Sequence, residues 1–142
     1  MRRVFGDTFY WVALIHRKDA NHGAVLEWSR RSEPPFIFTT EEVLTEVPAF
    51  CSSHEGLRVD AARIVRRIMM GHSMRVVPQS HESFVNGLEL YEARPDKRYS
   101  LTNCISMQIM RREGLTDVLT NDRHFEQGGF RALFRGNAGQ EI

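Results

Sequence analysis

At 142 residues and a formal net charge of +1, the chain is neither a generally basic nucleic-acid binder nor an acidic tail. A hydrophobic share of 42% and a charged share of 26% describe a soluble globular protein, with length enough for one domain over 1–142. No apolar run reaches the roughly 18 residues that a membrane span needs, and the start MRRVFGDTFYW lacks the apolar core of a signal peptide. Cys51 and Cys104 form no CxxC pair. Buried reduced thiols in a cytoplasmic protein are therefore expected.

Arg3-Val4-Phe5-Gly6 reads as a short strand, and Asp7 follows it at once. Asp7 can cap a helix whose apolar face is Phe9, Val12, Ala13 and Ile15. A second helix is expected from about Asp19 to Arg30, with Ala20, Ala24, Val25 and Trp28 inward. Pro34-Pro35 ends it and leads into a strand at Phe36-Ile37-Phe38. Thr39 or Thr40 then caps a third helix, which places Val43, Glu46, Val47 and Phe50 on one stripe. Glu46 is the oddest charge of the first half, because an unpaired buried carboxylate is costly. Pro48 is expected to kink or end that helix early.

Asp60 to Met70 is the cleanest amphipathic helix, with Ala61, Ile64, Val65, Ile68 and Met69 inward and Arg63, Arg66 and Arg67 on a solvated face. Met74 to Val77 forms the next strand. Ser80 to Tyr91 forms the next helix, with Phe84, Val85, Leu88 and Tyr91 inward. Ser100 caps a helix carrying Leu101, Cys104, Ile105 and Ile109, and Gly114 stops it. Val118-Leu119 is a brief strand, with Thr120-Asn121-Asp122 directly after it. Strands alternating with helices predict an α/β domain: a parallel sheet of four or five strands with helices on both faces.

Several motifs fail. His81-Glu82 opens like HExxH, but Val85 stands where the second histidine belongs. Gly128-Gly129 reads as a turn, and no GxSxG, GxGxxG or GxxxxGKS occurs. What remains is a set of acids: Asp7 after the first strand, Glu46 on an apolar helix stripe, and Asp122 after a late strand. At the carboxyl edge of a parallel sheet these can converge. Converging carboxylates repel, and a hard cation such as Mg2+ or Mn2+ is their natural partner. Such a centre suits phosphodiester cleavage.

Four stretches carry a family likeness: Val4-Phe5-Gly6-Asp7-Thr8, Thr39-Thr40-Glu41-Glu42-Val43-Leu44-Thr45-Glu46, Tyr99-Ser100-Leu101-Thr102-Asn103-Cys104-Ile105-Ser106, and Leu119-Thr120-Asn121-Asp122-Arg123-His124-Phe125 leading to Gly129-Phe130. Through them the chain resembles PIN-domain proteins of the VapC toxin type. The resemblance implies a three-layer PIN-like fold and a Mg2+- or Mn2+-dependent endoribonuclease that leaves a 5′-phosphate and a 3′-hydroxyl. It also implies a small antitoxin partner and a homodimer. Asp7, Glu46, Asn103 and Asp122 would be the metal-site and catalytic positions, with Asp96 as a second-tier acid of the same motif. The family has Ser-Leu-Thr-Asp where this chain has Ser-Leu-Thr-Asn, so Asn103 brings an amide without charge to a ligand position. Reduced activity is the expected result. The alternative function is a catalytically weak PIN domain that binds RNA or protein. Arg94, Lys97, Arg98 and Arg123 stand near the acids in sequence and could hold phosphates.

Overall fold

Val4, Phe5, Val118 and Leu119 have no solvent exposure, because their strands lie at the centre of a sheet covered on both faces. The computed structural model describes residues 1–136. The elements run β1 (Arg3–Gly6), α1 (Thr8–Ile15), α2 (His22–Ser29), β2 (Phe36–Thr40), α3 (Glu41–Cys51), α4 (Glu55–Met70), β3 (Met74–Val77), α5 (His81–Ala93), α6 (Leu101–Glu113), β4 (Asp117–Leu119), α7 (Arg123–Gln127) and β5 (Arg131–Ala132). The five strands are all parallel, in the order β3-β2-β1-β4-β5. Phe5 lies beside Phe38 on one side and Val118 on the other, which fixes the central register.

From β1 the chain steps outward through β2 to β3, then crosses back to β4 on the other side of β1. Right-handed crossovers therefore put α1–α4 on one face and α5–α6 on the opposite face. The order reverses between β1 and β4, and the carboxyl ends of those two strands open onto the crevice where such sheets bind ligands. Asp7 and Asp122 follow those strands directly.

Local expectations fail where packing decides the face. Helix α5 buries Ser83 and Gly87, while Phe84 and Tyr91 are exposed and Val85 and Leu88 are half-buried. The cause is Gly87: a Cβ there would lie 2.4 Å from Ile105 Cγ1 and 3.2 Å from the Ile105 backbone. Small residues bring α5 against α6, and the bulky ones turn outward. Helix α3 runs through Pro48 to Cys51, but Phe50 is 72% exposed. Met69 of α4 is also exposed, and that helix starts earlier than expected, at Glu55. Helix α2 begins at His22 rather than Asp19 and leaves Ala20 exposed. The two-residue strand β5 carried no sequence signal. Cys51 and Cys104 are both buried free thiols.

Candidate functional site

Five segments meet at the switch between β1 and β4. Asp7, Glu46, Asn103 and Asp122 line one cavity of about 750 Å3, together with Thr8, Phe50, Arg98, Thr120, Arg123, His124 and Arg135. The four positions singled out in the sequence are thus brought to one place. Asp96 is not: it lies outside the cavity, bound to Arg94 through two hydrogen bonds of 3.1 and 3.0 Å. Arg98 and Arg123 reach the cavity, whereas Arg94 and Lys97 do not line it. The arginines of α4 face solvent elsewhere.

Asp7 occupies the N-cap of α1, but its side chain makes no capping hydrogen bond. Instead Thr120 Oγ1 donates to Asp7 Oδ2 at 2.8 Å and accepts the Asp122 backbone N–H at 3.1 Å. Thr120 is fully buried, so this hydroxyl ties the ends of β1 and β4 together. On the other side Thr8 Oγ1 donates to Glu46 Oε1. Sequence reading passed over both threonines, although each adjoins or lies within one of the quoted motifs. Glu46 sits on α3, held by the Thr40 cap accepting from the Val43 N–H at 3.1 Å.

Asp7 is only 7% exposed. Burial pushes its carboxyl up to about 6, repulsion from Glu46 and Asp122 adds to that, and hydrogen bonds from Thr120 and the Thr8 backbone pull it back. A carboxylate kept this close to neutral, facing two more acids, is a group that a cation would relieve. Asp122 caps α7 by accepting the His124 N–H at 2.9 Å. The His124 ring Nδ1 lies 3.1 Å from Asp122 Oδ1 but at an angle too poor for a hydrogen bond. Glu46 Oε2 and Asp122 Oδ2 take part in no hydrogen bond among the described residues.

These are hard oxygen donors, and as a set they fit Mg2+ or Mn2+ better than a soft metal. Among the described residues, no three His, Cys, Asp or Glu side chains already stand as a closed metal cluster. Asn103 has a different standing. It is the third residue of α6, and its Oδ1 accepts the Ser100 backbone N–H at 3.2 Å while Ser100 Oγ accepts the Asn103 N–H at 3.0 Å. This reciprocal capping box uses the amide oxygen. The Cys104 thiol is buried and its pKa is raised by that burial, which removes it as a nucleophile.

Two cavity residues had no useful sequence signal. Phe50 presents an exposed ring at the cavity, though its spacing placed it inward. Arg135 arrives after β5 and bonds Glu126 at 3.0 Å.

No family model matches the chain. Over 128 residues it is 28% identical to the 23S rRNA-specific endonuclease VapC20 of Mycobacterium tuberculosis, in strains CDC 1551 / Oshkosh and H37Rv, covering 89% of this chain and 95% of the relative. The crystal structure of that species' VapC20, described as a sarcin-ricin loop cleaving toxin, superposes with a TM-score of 0.76 at 29% identity, over 89% of this chain and 95% of that one. FitAcB from Neisseria gonorrhoeae gives a TM-score of 0.62 at 13% identity over 91% and 95% of the two chains, a likeness of fold alone. With that relative matched almost end to end in sequence and in fold, and the acids meeting at the sheet's switch point, the chain is similar to a toxin of the VapC type.

Proposed function

We propose that this chain is a divalent-metal-dependent endoribonuclease and the toxin half of a toxin–antitoxin pair. One observation carries the reading: four residues from separate segments, at the motif positions of the family, line a single cavity around a buried carboxylate. Asp7, Glu46 and Asp122 would hold Mg2+ or Mn2+. Bound there, the ion would supply an activated water and offset charge on the leaving oxygen. The remaining chemistry belongs to the chain. Glu46 Oε2 would orient the attacking water, and Thr120 keeps Asp7 and Asp122 in register. Arg98, Arg123 and Arg135 meet the phosphates flanking the scissile bond. The exposed Phe50 ring offers a stacking face to an unpaired base, which favours single-stranded or looped RNA. Water adds to phosphorus, the bond to the 3′ oxygen breaks, and a 5′-phosphate and a 3′-hydroxyl result.

The VapC20 relatives, named for acting on 23S rRNA, make large-subunit ribosomal RNA the first substrate class to try. A small antitoxin and a second copy of the chain are the proposed partners, and the cytoplasm is the proposed compartment. No helix among the described residues is long and apolar enough to cross a membrane.

End-labelled RNA incubated with Mn2+ or with EDTA tests the enzyme. Cleavage is expected with Mn2+ alone, and equal cleavage in EDTA would remove the reading. Asn103 favours a second reading, a weak enzyme that binds RNA or protein. RNA retention without any Mn2+-dependent cleavage would establish that one instead.

A further inference from the structure

Asn103 stands where the family carries an acid, and the capping box decides which face of its amide the cavity meets. The Ser100 N–H is a donor and requires an acceptor, so Oδ1 must face it. The NH2 group then points the other way. Asn103 is 9% exposed and lines the acid cavity, and its Nδ2 makes no hydrogen bond with any described residue. The NH2 end of this amide has no lone pair to offer a cation, and the one oxygen is already engaged by the cap. That NH2 end can serve an anion.

We propose that Asn103 is a substrate-contacting residue whose Nδ2 donates a hydrogen bond to a phosphate oxygen of the RNA, and that the cation is held by Asp7, Glu46 and Asp122 without it. This rests on the RNA-cleaving reading for its ligand but not for its metal half. It reassigns the position from metal ligand to phosphate reader. The carboxylates alone would repel a phosphate, so a neutral donor among them gives the scissile group one favourable contact from the α6 side. The cost is one fewer negative charge on the cation.

The test uses two probes that do not depend on turnover: Mn2+ alone, followed by electron paramagnetic resonance, and a labelled single-stranded RNA bound in Ca2+, followed by anisotropy. Asn103→Ala should leave Mn2+ affinity within about twofold and weaken RNA about tenfold, the worth of a hydrogen bond to a charged group. Asn103→Asp keeps an acceptor for Ser100, so it protects the fold. It should tighten Mn2+ by about tenfold or more and also weaken RNA, because a carboxylate replaces the donor. A tenfold loss of Mn2+ affinity in Asn103→Ala, or unchanged RNA affinity in both variants, would overturn the proposal. If the native chain shows this binding pattern but no cleavage, the phosphate contact stands and the nuclease reading falls.

Discussion

Two helix starts built by the same rule have different outcomes. At α5, Ser80 and Ser83 form a capping box in which the Ser83 hydroxyl is wholly occupied, accepting from the Ser80 backbone and hydroxyl and donating to the Ser80 carbonyl. At α6, Ser100 and Asn103 form the same box, yet one end of the Asn103 side chain remains unused and opens into the cavity. The helix itself needs only one polar atom at that position. A side chain with a second polar atom, held rigid by the cap, is a way of aiming chemistry at a ligand. Asp7 shows the same logic carried further, since it sits at a cap position while its carboxylate is bound by Thr120 at the end of β4 rather than capping the helix.

The largest test of this contrast is Asp7→Asn. Cleavage should fall by about 100-fold or more, because a first ligand contributes more than the outer contacts whose loss costs roughly 10–100-fold. Stability should move the other way. Because the Asp7 carboxyl titrates near 6 when folded and near 3.8 otherwise, the folded state binds the extra proton between those values and stability declines as pH rises through them. The variant should therefore be more stable than the native chain at pH 7.5, by up to about 3 kcal/mol in the metal-free protein, and should melt at a higher temperature. That advantage should vanish near pH 4, and equal melting of the two at pH 7.5 would show that Asp7 is not strained.

Next comes Thr120→Val, which removes the donor to Asp7 and the acceptor for Asp122. Mn2+ affinity should fall about tenfold with the secondary structure intact by circular dichroism. Gly87→Ala should destabilise the chain by about 1–3 kcal/mol through overpacking against Ile105, read as a lower urea midpoint. The smallest effect belongs to the remote cap: Ser80→Ala should cost about 1 kcal/mol and leave cleavage unchanged within twofold. A cleavage loss from Ser80→Ala as large as that from Thr120→Val would erase the distinction between the two helix starts.

Much of this was legible in the chain, and the failures have a common cause. Asp7 and Asp122 follow strands, Asn103 opens a helix and Glu46 stands as an odd charge on the apolar stripe of α3, and alternation of strands and helices is enough to bring such positions to one edge. What a single helix cannot reveal is its neighbour. Periodicity turned α5 toward Phe84 and Tyr91, but close approach to α6 requires Gly87 and Ser83 on the contact side. Spacing alone places Phe50 inward, because hydropathy does not distinguish a core face from an aromatic left at the mouth of a cavity. Strand β5 spans only two residues, too few for any period to register.

The bond from Thr120 to Asp7 joins positions 113 residues apart, and β1 finds β4 only across that same interval. During synthesis the first acid is therefore made long before its counterpart exists. A nascent chain halted before Thr120 already holds Asp7, Glu46 and Asn103 but lacks both Asp122 and the hydroxyl that ties it to Asp7, so the pocket closes only after β4 has been made.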